Sequence, residues 1–228
     1  MAYAKKLGVF VRVPEVGQVK TRLIPPLDAS GACELYTAFL RDLFDRLGKL
    51  KKVSGTVFYT GGAPDGLVGF LPPRYQLVEQ EGESLGDRLH NAFEILLDGE
   101  GSTAAIIGSD SPDIPIAFVK RAHQKLKHKD VVLGPAFDGG YYLIGLREIV
   151  PSIFDGVAWG EKTVLRETLE KVKAGDLAFS LLPPWYDVDD ETSLAMLQNM
   201  LLAKQIEHGG RLQHTERVLS RLMNHQPK

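Results

Sequence analysis

Seven short runs of apolar, largely β-branched or aromatic residues punctuate the chain, at 7–13, 53–60, 75–80, 104–108, 131–133, 141–146 and 177–182. The run at 104–108 (AAIIG) has no polar residue, as in a strand covered on both faces. Residues 30–49 instead place apolar side chains at 36, 39, 40, 43, 44 and 47, which is the period of a helix. Helices are also predicted over 85–97, 114–127, 149–154, 162–173 and 193–207. Parallel neighbours need crossover connections, so this alternation predicts an α/β fold, a three-layer α/β/α sandwich around a mostly parallel, mixed sheet.

The 228 residues suffice for one substantial core, expected over 1–208. A polar tail follows at 209–228, expected to be helical, with Leu212, Val218, Leu219 and Leu222 to dock it. The 27 basic residues are dispersed and the net charge is -2, which argues against nucleic acid as a partner and leaves room for a small anion. A single cysteine, Cys33, forms no internal disulfide and fits a reducing compartment. The run at 7–13 is interrupted by Arg12 and closed by Pro14, too short for a signal sequence. No stretch reaches the roughly 18 apolar residues of a membrane span. The expectation is a cytoplasmic protein.

In an open α/β sheet the ligand crevice lies beyond the carboxyl ends of the strands, which directs attention to the residues there. After the first strand comes a connection of about fifteen residues, long enough to suggest a function. It contains Arg12, Gly17, Lys20 and Arg22; Gly17 permits a tight turn, while Lys20 and Arg22 offer a point charge and a planar fork to phosphate oxygens. A solvated basic loop would read the same way, and the GxxxxGK[ST] pattern is absent. Gly108-Ser109-Asp110-Ser111-Pro112 puts a carboxylate at the end of an apolar strand, suited to a cation that bridges phosphates or, equally, to capping the next helix.

Asp138-Gly139-Gly140-Tyr141-Tyr142 reads as a turn whose glycines allow a ligand near the backbone and whose tyrosines could wall a ring. In Asp187-Val188-Asp189-Asp190-Glu191, extended backbone lets one of Asp187 and Asp189 face the crevice while the other orients it. Asp190 and Glu191 suit an acidic helix N-terminus. The loop Gln80-Glu81-Gly82-Glu83-Ser84-Leu85-Gly86-Asp87-Arg88 could accept a base or ribose edge, although its glycine spacing matches GxGxxG only loosely.

Taken in order, Val19-Lys20-Thr21-Arg22-Leu23, Leu85-Gly86-Asp87-Arg88, Gly108-Ser109-Asp110-Ser111-Pro112, Gly134-Pro135, Asp138 through Leu146 and Asp187-Val188-Asp189 resemble a bacterial family related to the nucleotide-diphospho-sugar transferases of the glycosyltransferase-A fold. The first and fifth segments are also similar to guanylyltransferases of deazaflavin-cofactor and molybdenum-cofactor assembly. The resemblance extends to about residue 200. It implies that Lys20 and Arg22 contact phosphates and that Gln80, Gly82, Leu85, Gly86 and Arg88 lie near the base or ribose. It further implies that Asp110 and Asp189 hold Mg²⁺ or Mn²⁺ and that Asp138 faces the acceptor, with Arg12, Gly17, Ser109, Gly139, Gly140 and Tyr141 completing the binding surface. The chain departs from the pattern at Arg12, where lysine is frequent, and in Asp187-Val188-Asp189-Asp190-Glu191-Thr192-Ser193-Leu194, where the family often has Asp-x-Asp-Thr-x-x-Asp-Leu.

The expected ligands are therefore a nucleoside triphosphate or nucleotide-sugar and a small acceptor. The expected chemistry is displacement at phosphorus, with Lys20, Arg22 and Asp110 taking the catalytic roles. Glycosyl transfer from a nucleotide-sugar is the close alternative, and a non-catalytic nucleotide sensor would carry the same binding residues. A haloacid-dehalogenase-type phosphatase is disfavoured, because Glu191 stands where that motif needs Thr or Val.

Overall fold

The computed structural model describes residues 4–99, 101–206 and 211–224. One sheet contains β1 (Ala4–Arg12), β2 (Ser54–Thr60), β3 (Tyr75–Glu79), β4 (Ser102–Ile107), β5 (Val131–Pro135), β6 (Tyr141–Leu146) and β7 (Phe179–Leu181), in the order β3-β2-β1-β4-β6-β5-β7. The pairs among β1, β2, β3 and β4, and the β5–β7 pair, are parallel. Among the described residues, only β6 runs antiparallel to its neighbours, β4 and β5. Its start therefore lies beside the carboxyl ends of both.

Helices α1 (Ala29–Leu47), α2 (Asp65–Val68), α3 (Leu85–Leu96), α4 (Ile116–Lys125), α5 (Val164–Ala174), α6 (Glu191–Ile206) and α7 (Gln213–Asn224) flank this sheet. The predicted helix at 149–154 is a 3-10 turn over Pro151–Ile153, and α2 was not anticipated, being a single turn without a periodic apolar stripe. Helix α6 begins two residues before its predicted start because Asp190 caps it, accepting from the Ser193 amide at 2.8 Å.

Alternate residues of the strands feed two cores. Ala105 and Ile107 of β4 join Leu7, Val9 and Val11 of β1 in a layer with Phe39 and Leu43 of α1, Val119 of α4 and Leu197 of α6. Ala104 and Ile106 point the other way, to Leu89, Phe93 and Leu96 of α3 and Val172 of α5. Period-two alternation with apolar residues on both faces explains why β4 reads as unbroken hydrophobic sequence. Each fully buried Leu or Phe contributes on the order of 1.5–3 kcal/mol relative to exposure. These layers hold the strand ends as a rigid rim.

The tail folds back as α7 onto α1. Both oxygens of the buried Asp42 carboxylate accept amides at the start of α7, from His214 at 3.1 Å and Thr215 at 2.7 Å. These bonds satisfy two of the donors that a helix N-terminus leaves unpaired. Among the described residues, no helix is long and apolar enough to cross a membrane.

Candidate functional site

Register brings the chemistry to one rim. Arg12 pairs with Thr60 at the ends of β1 and β2, and Val9 pairs with Ile107 in β4, so the segment from Gly108 to Asp110 emerges beside Arg12. The segment after β7 reaches this rim by running alongside β5. Leu182 donates to the carbonyl of Leu133 at 2.8 Å, Trp185 to that of Pro135 at 3.0 Å, and Val188 to that of Asp110 at 2.8 Å. Three backbone bonds thus carry Asp187–Asp189 across to the end of β4.

Into this rim the connection after β1 projects Lys20. Its backbone is left-handed, with φ 50 and ψ 38, an uncommon conformation for a residue with a side chain and one found at functional sites. The ammonium sits between Asp110 Oδ1 and Asp189 Oδ1, the latter at 2.8 Å, while only 3% of the side chain is exposed. Arg22, in the 3-10 turn Thr21–Leu23, donates to Asp189 Oδ2 at 2.6 Å from an exposed position. Burial acts to lower the Lys20 pKa, but the two carboxylates overcome it and the net shift is upward. Two carboxylates face two cations, so the group is electrically balanced.

Beneath it, the Tyr36 hydroxyl of α1 accepts from the Arg12 amide at 3.2 Å and shares a 2.9 Å hydrogen bond with Ser109 Oγ. Burial, reinforced by the charge of Asp110, pushes the Tyr36 phenol up to about 12, so it remains a neutral brace. The ring lies 5.7 Å from the Lys20 nitrogen. Ser111 places its hydroxyl 2.9 Å from the Tyr186 carbonyl and 2.6 Å from Asp187 Oδ1. Burial, with the charges of Asp110, Asp189 and Asp138, pushes the Asp187 carboxyl up to about 7 against the lowering effect of Ser111.

Asp113 fixes the same segment, accepting from the Tyr186 hydroxyl at 2.8 Å and the Trp185 indole at 3.3 Å. Helix α4 starts at Ile116 with Pro115 before it and no side-chain cap, so Asp110 is not serving as that helix's N-cap.

A cavity of about 300 Å³ opens above these groups. Arg12, Lys20, Arg22, Gln80, Ser109, Asp110 and Asp189 all line it, together with Tyr36 and Thr60. Gln80 also ties the strand ends, its amide nitrogen donating to the Phe58 carbonyl at 2.8 Å. Gly17 adopts φ 77 in the turn before Gln18 and sits outside the lining. Gly82 accepts from Arg88 Nε at 3.0 Å through its carbonyl. Leu85 is exposed at the start of α3, and Gly86 packs where a Cβ would come within 2.6 Å of the Trp159 indole nitrogen. None of Gly82, Leu85, Gly86 and Arg88 lines the cavity.

Asp138 borders a second cavity adjoining the first, whereas Gly139, Gly140 and Tyr141 line neither. At Gly139, φ is 98 and an added Cβ would strike the Lys162 carbonyl at 2.2 Å, so this glycine serves the turn and its packing. The Tyr141 ring meets Trp159 edge-on, and the Tyr142 hydroxyl donates to the Pro183 carbonyl. Sequence reading missed Tyr36, Ser111, Asp113 and Tyr186. A tyrosine within an apolar helix stripe and a serine beside an acidic residue carry no local sign of such partners.

Asp110 and Asp189 fit a divalent cation, since one oxygen from each already converges on a single positive charge and hard cations prefer carboxylate oxygen.

The family model described as "Uncharacterized protein conserved in bacteria" (DUF2064) matches residues 43–161, just over half of the chain. No curated protein matches it. A crystal structure of a "putative nucleotide-diphospho-sugar transferase" from Desulfovibrio desulfuricans G20 is 32% identical, covers 100% of both chains and superposes with a TM-score of 0.87. At 9% identity, 4-diphosphocytidyl-2C-methyl-D-erythritol synthase from Anaerococcus prevotii DSM 20548 shares the fold, with a TM-score of 0.56 over 86% of this chain and 97% of its own. At 13% identity, CMP:2-keto-3-deoxy-manno-octonic acid synthetase, complexed with CTP, shares it with a TM-score of 0.53 over 88% of this chain and 99% of its own. The chain belongs to the DUF2064 family and has the nucleotide-diphospho-sugar transferase fold.

Proposed function

We propose that this chain is a metal-dependent nucleotidyltransferase that binds a nucleoside triphosphate in the Lys20–Asp110–Asp189 cavity, passes its nucleotidyl group to a small acceptor and releases pyrophosphate. The observation that supports this reading is the meeting of Lys20 and Arg22 with Asp110 and Asp189, partners 90 to 169 residues apart in sequence, at the carboxyl rim of the sheet.

In the free protein Lys20 and Arg22 neutralise these carboxylates. When a polyphosphate enters, both cations can turn to its oxygens, where they offset the charge that grows on the leaving pyrophosphate. Magnesium or manganese, held by Asp110 and Asp189, would supply Lewis-acid polarisation of the phosphate. Tyr36 and Ser109 brace the floor, and Gln80 stands at the β3 side of the cavity, where a base or ribose would lie. The names of the Desulfovibrio protein and of the two synthetases are in keeping with a nucleotide substrate.

The test is titration of each of the four ribonucleoside triphosphates with Mg²⁺, followed by assay of pyrophosphate release. Saturable binding of one of them, lost in Lys20→Ala, is the expected result. Binding of a nucleotide-sugar with release of a nucleoside diphosphate would transfer the reading to glycosyl transfer. Binding without turnover for any acceptor would make the chain a sensor.

A further inference from the structure

Arg22 and Asp189 have a cavity on each side of them. Beyond the nucleotide cavity they also line a second one, of about 450 Å³, large enough for a small metabolite. Its walls differ in chemistry from those of the first. Phe137, 72% exposed, and Met196, 45% exposed, face it from the β5–β6 turn and from α6, with the Tyr186 ring between them in sequence and beside them in the lining. Isolated exposed hydrophobics are ordinary, but two large ones bordering the same cavity beside a candidate reaction centre supply an apolar contact surface.

The charged groups of this cavity are mostly carboxylates, Asp138, Asp189 and Asp190, against Arg22, which is already paired with Asp189. Asp138 and Asp190 are held in place by local bonds, to the Gly140 amide at 2.9 Å and to the Ser193 amide at 2.8 Å. A phosphate ester entering here would meet like charge with one cation to offset it. Aromatic faces beside carboxylates instead favour a cation or a neutral polar group carried on carbon.

We propose that this second cavity is the acceptor subsite and that it takes a cationic alcohol with an alkylammonium portion, not a phosphate ester. The assignment rests on the nucleotidyl-transfer reading of the neighbouring cavity. The acceptor oxygen forms a bond to the α-phosphorus as the bond from that phosphorus to the bridging pyrophosphate oxygen breaks. Pyrophosphate leaves with the electron pair, the hydroxyl proton passes to water, and the product is a phosphodiester. Asp189 and Arg22, shared by both cavities, stand where the two substrates meet.

The experiment follows the methyl resonance of Met196 in protein labelled with ¹³C-methyl methionine, assigned by Met196→Leu, while choline and phosphocholine are added separately without nucleotide. Choline is expected to shift this resonance in a saturable way, with at least tenfold weaker affinity for phosphocholine. Phe137→Ala is expected to weaken choline severalfold and to leave the affinity for magnesium–triphosphate unchanged. Phosphocholine binding as well as choline, no shift with either probe into the tens of millimolar, or a choline shift indifferent to Phe137→Ala would each overturn the proposal. Because this readout needs no nucleotide, it can fail while triphosphate binding at Lys20 succeeds, and the reverse, so the two failures are separable.

Discussion

The amide of Val188 donates to the carbonyl of Asp110 at 2.8 Å. This bond joins the end of β4 to a segment nearly eighty residues later, and it fixes the spacing of the candidate site through backbone. Val188 is fully buried, while the flanking Asp187 and Asp189 turn to Ser111 and to Lys20 and Arg22. An alternating extended segment with an apolar residue at its centre produces that presentation.

Lys20→Met keeps the alkyl stem and removes the ammonium from between Asp110 and Asp189. Breaking a buried pair leaves uncompensated charge, and with Asp110 partly exposed the loss of stability in metal-free buffer is expected at the low end for such pairs, about 3 kcal/mol. Added Mg²⁺ is expected to restore part of that loss and to raise the melting temperature of the variant more than that of the parent. Urea denaturation measures the first and thermal denaturation the second, each with and without Mg²⁺. Equal responses in the two proteins would show that the carboxylates do not share a cation site.

Arg22 has 71% of its side chain exposed and contributes little packing. Arg22→Ala is therefore expected to change stability by less than about 0.5 kcal/mol. Losing a charge-assisted bond to phosphate should weaken triphosphate binding by tenfold or more, about 1.4 kcal/mol. Calorimetric titration beside a denaturation curve separates the two effects. A destabilised variant with unaltered affinity would reverse the assignment.

Asp187 gives a pH signature. Its folded carboxyl is pushed up to about 7 from an ordinary 3.8, chiefly by burial. The unfolded chain loses this proton first, so the group costs nothing below pH 3.8 and costs progressively more as pH rises to 7. Asp187→Asn is expected to gain stability across that window, by a few kcal/mol at most near neutrality, and to retain nucleotide binding. Denaturation midpoints from pH 4 to 8 test it; a loss of magnesium-dependent binding would make Asp187 a ligand in its own right.

His123 acts in the opposite direction, far from the rim. It is buried against the Thr103 hydroxyl at 2.9 Å, and burial lowers its pKa from 6.5 to about 4. Both states are neutral above pH 6.5. As pH falls below that value the unfolded chain takes up a proton that the folded form refuses, and about 3 kcal/mol of stability is lost by pH 4. His123→Gln should flatten this slope in acid denaturation, and an unchanged slope would place the acid sensitivity elsewhere.

The three-layer sandwich was legible because β1 and β4 are apolar on both faces and α1 carries an unmistakable stripe. Lys20, Arg22, Asp110 and Asp189 were legible because a strand-end rule singles out such positions before any contact is known. What joins them was not: Tyr36 with Ser109, Ser111 with Asp187 and Asp113 with Tyr186 are pairs 73 or more residues apart in sequence. The glycines of the Gln80–Arg88 loop drew attention by type, yet Gly86 is small because Trp159 lies against it. Local sequence cannot distinguish a glycine that admits a ligand from one that admits an indole.

Asp110 is proposed to help hold a cation for a bound nucleotide. Its test is calorimetric titration of the preferred triphosphate into Asp110→Asn and the parent, with and without Mg²⁺. The substitution keeps shape and leaves the backbone bond from Val188 in place. Tight, magnesium-dependent binding is expected in the parent, with loss of that dependence in a variant that remains folded. Equal magnesium-dependent affinity in both proteins, or no triphosphate binding in the parent, would contradict it.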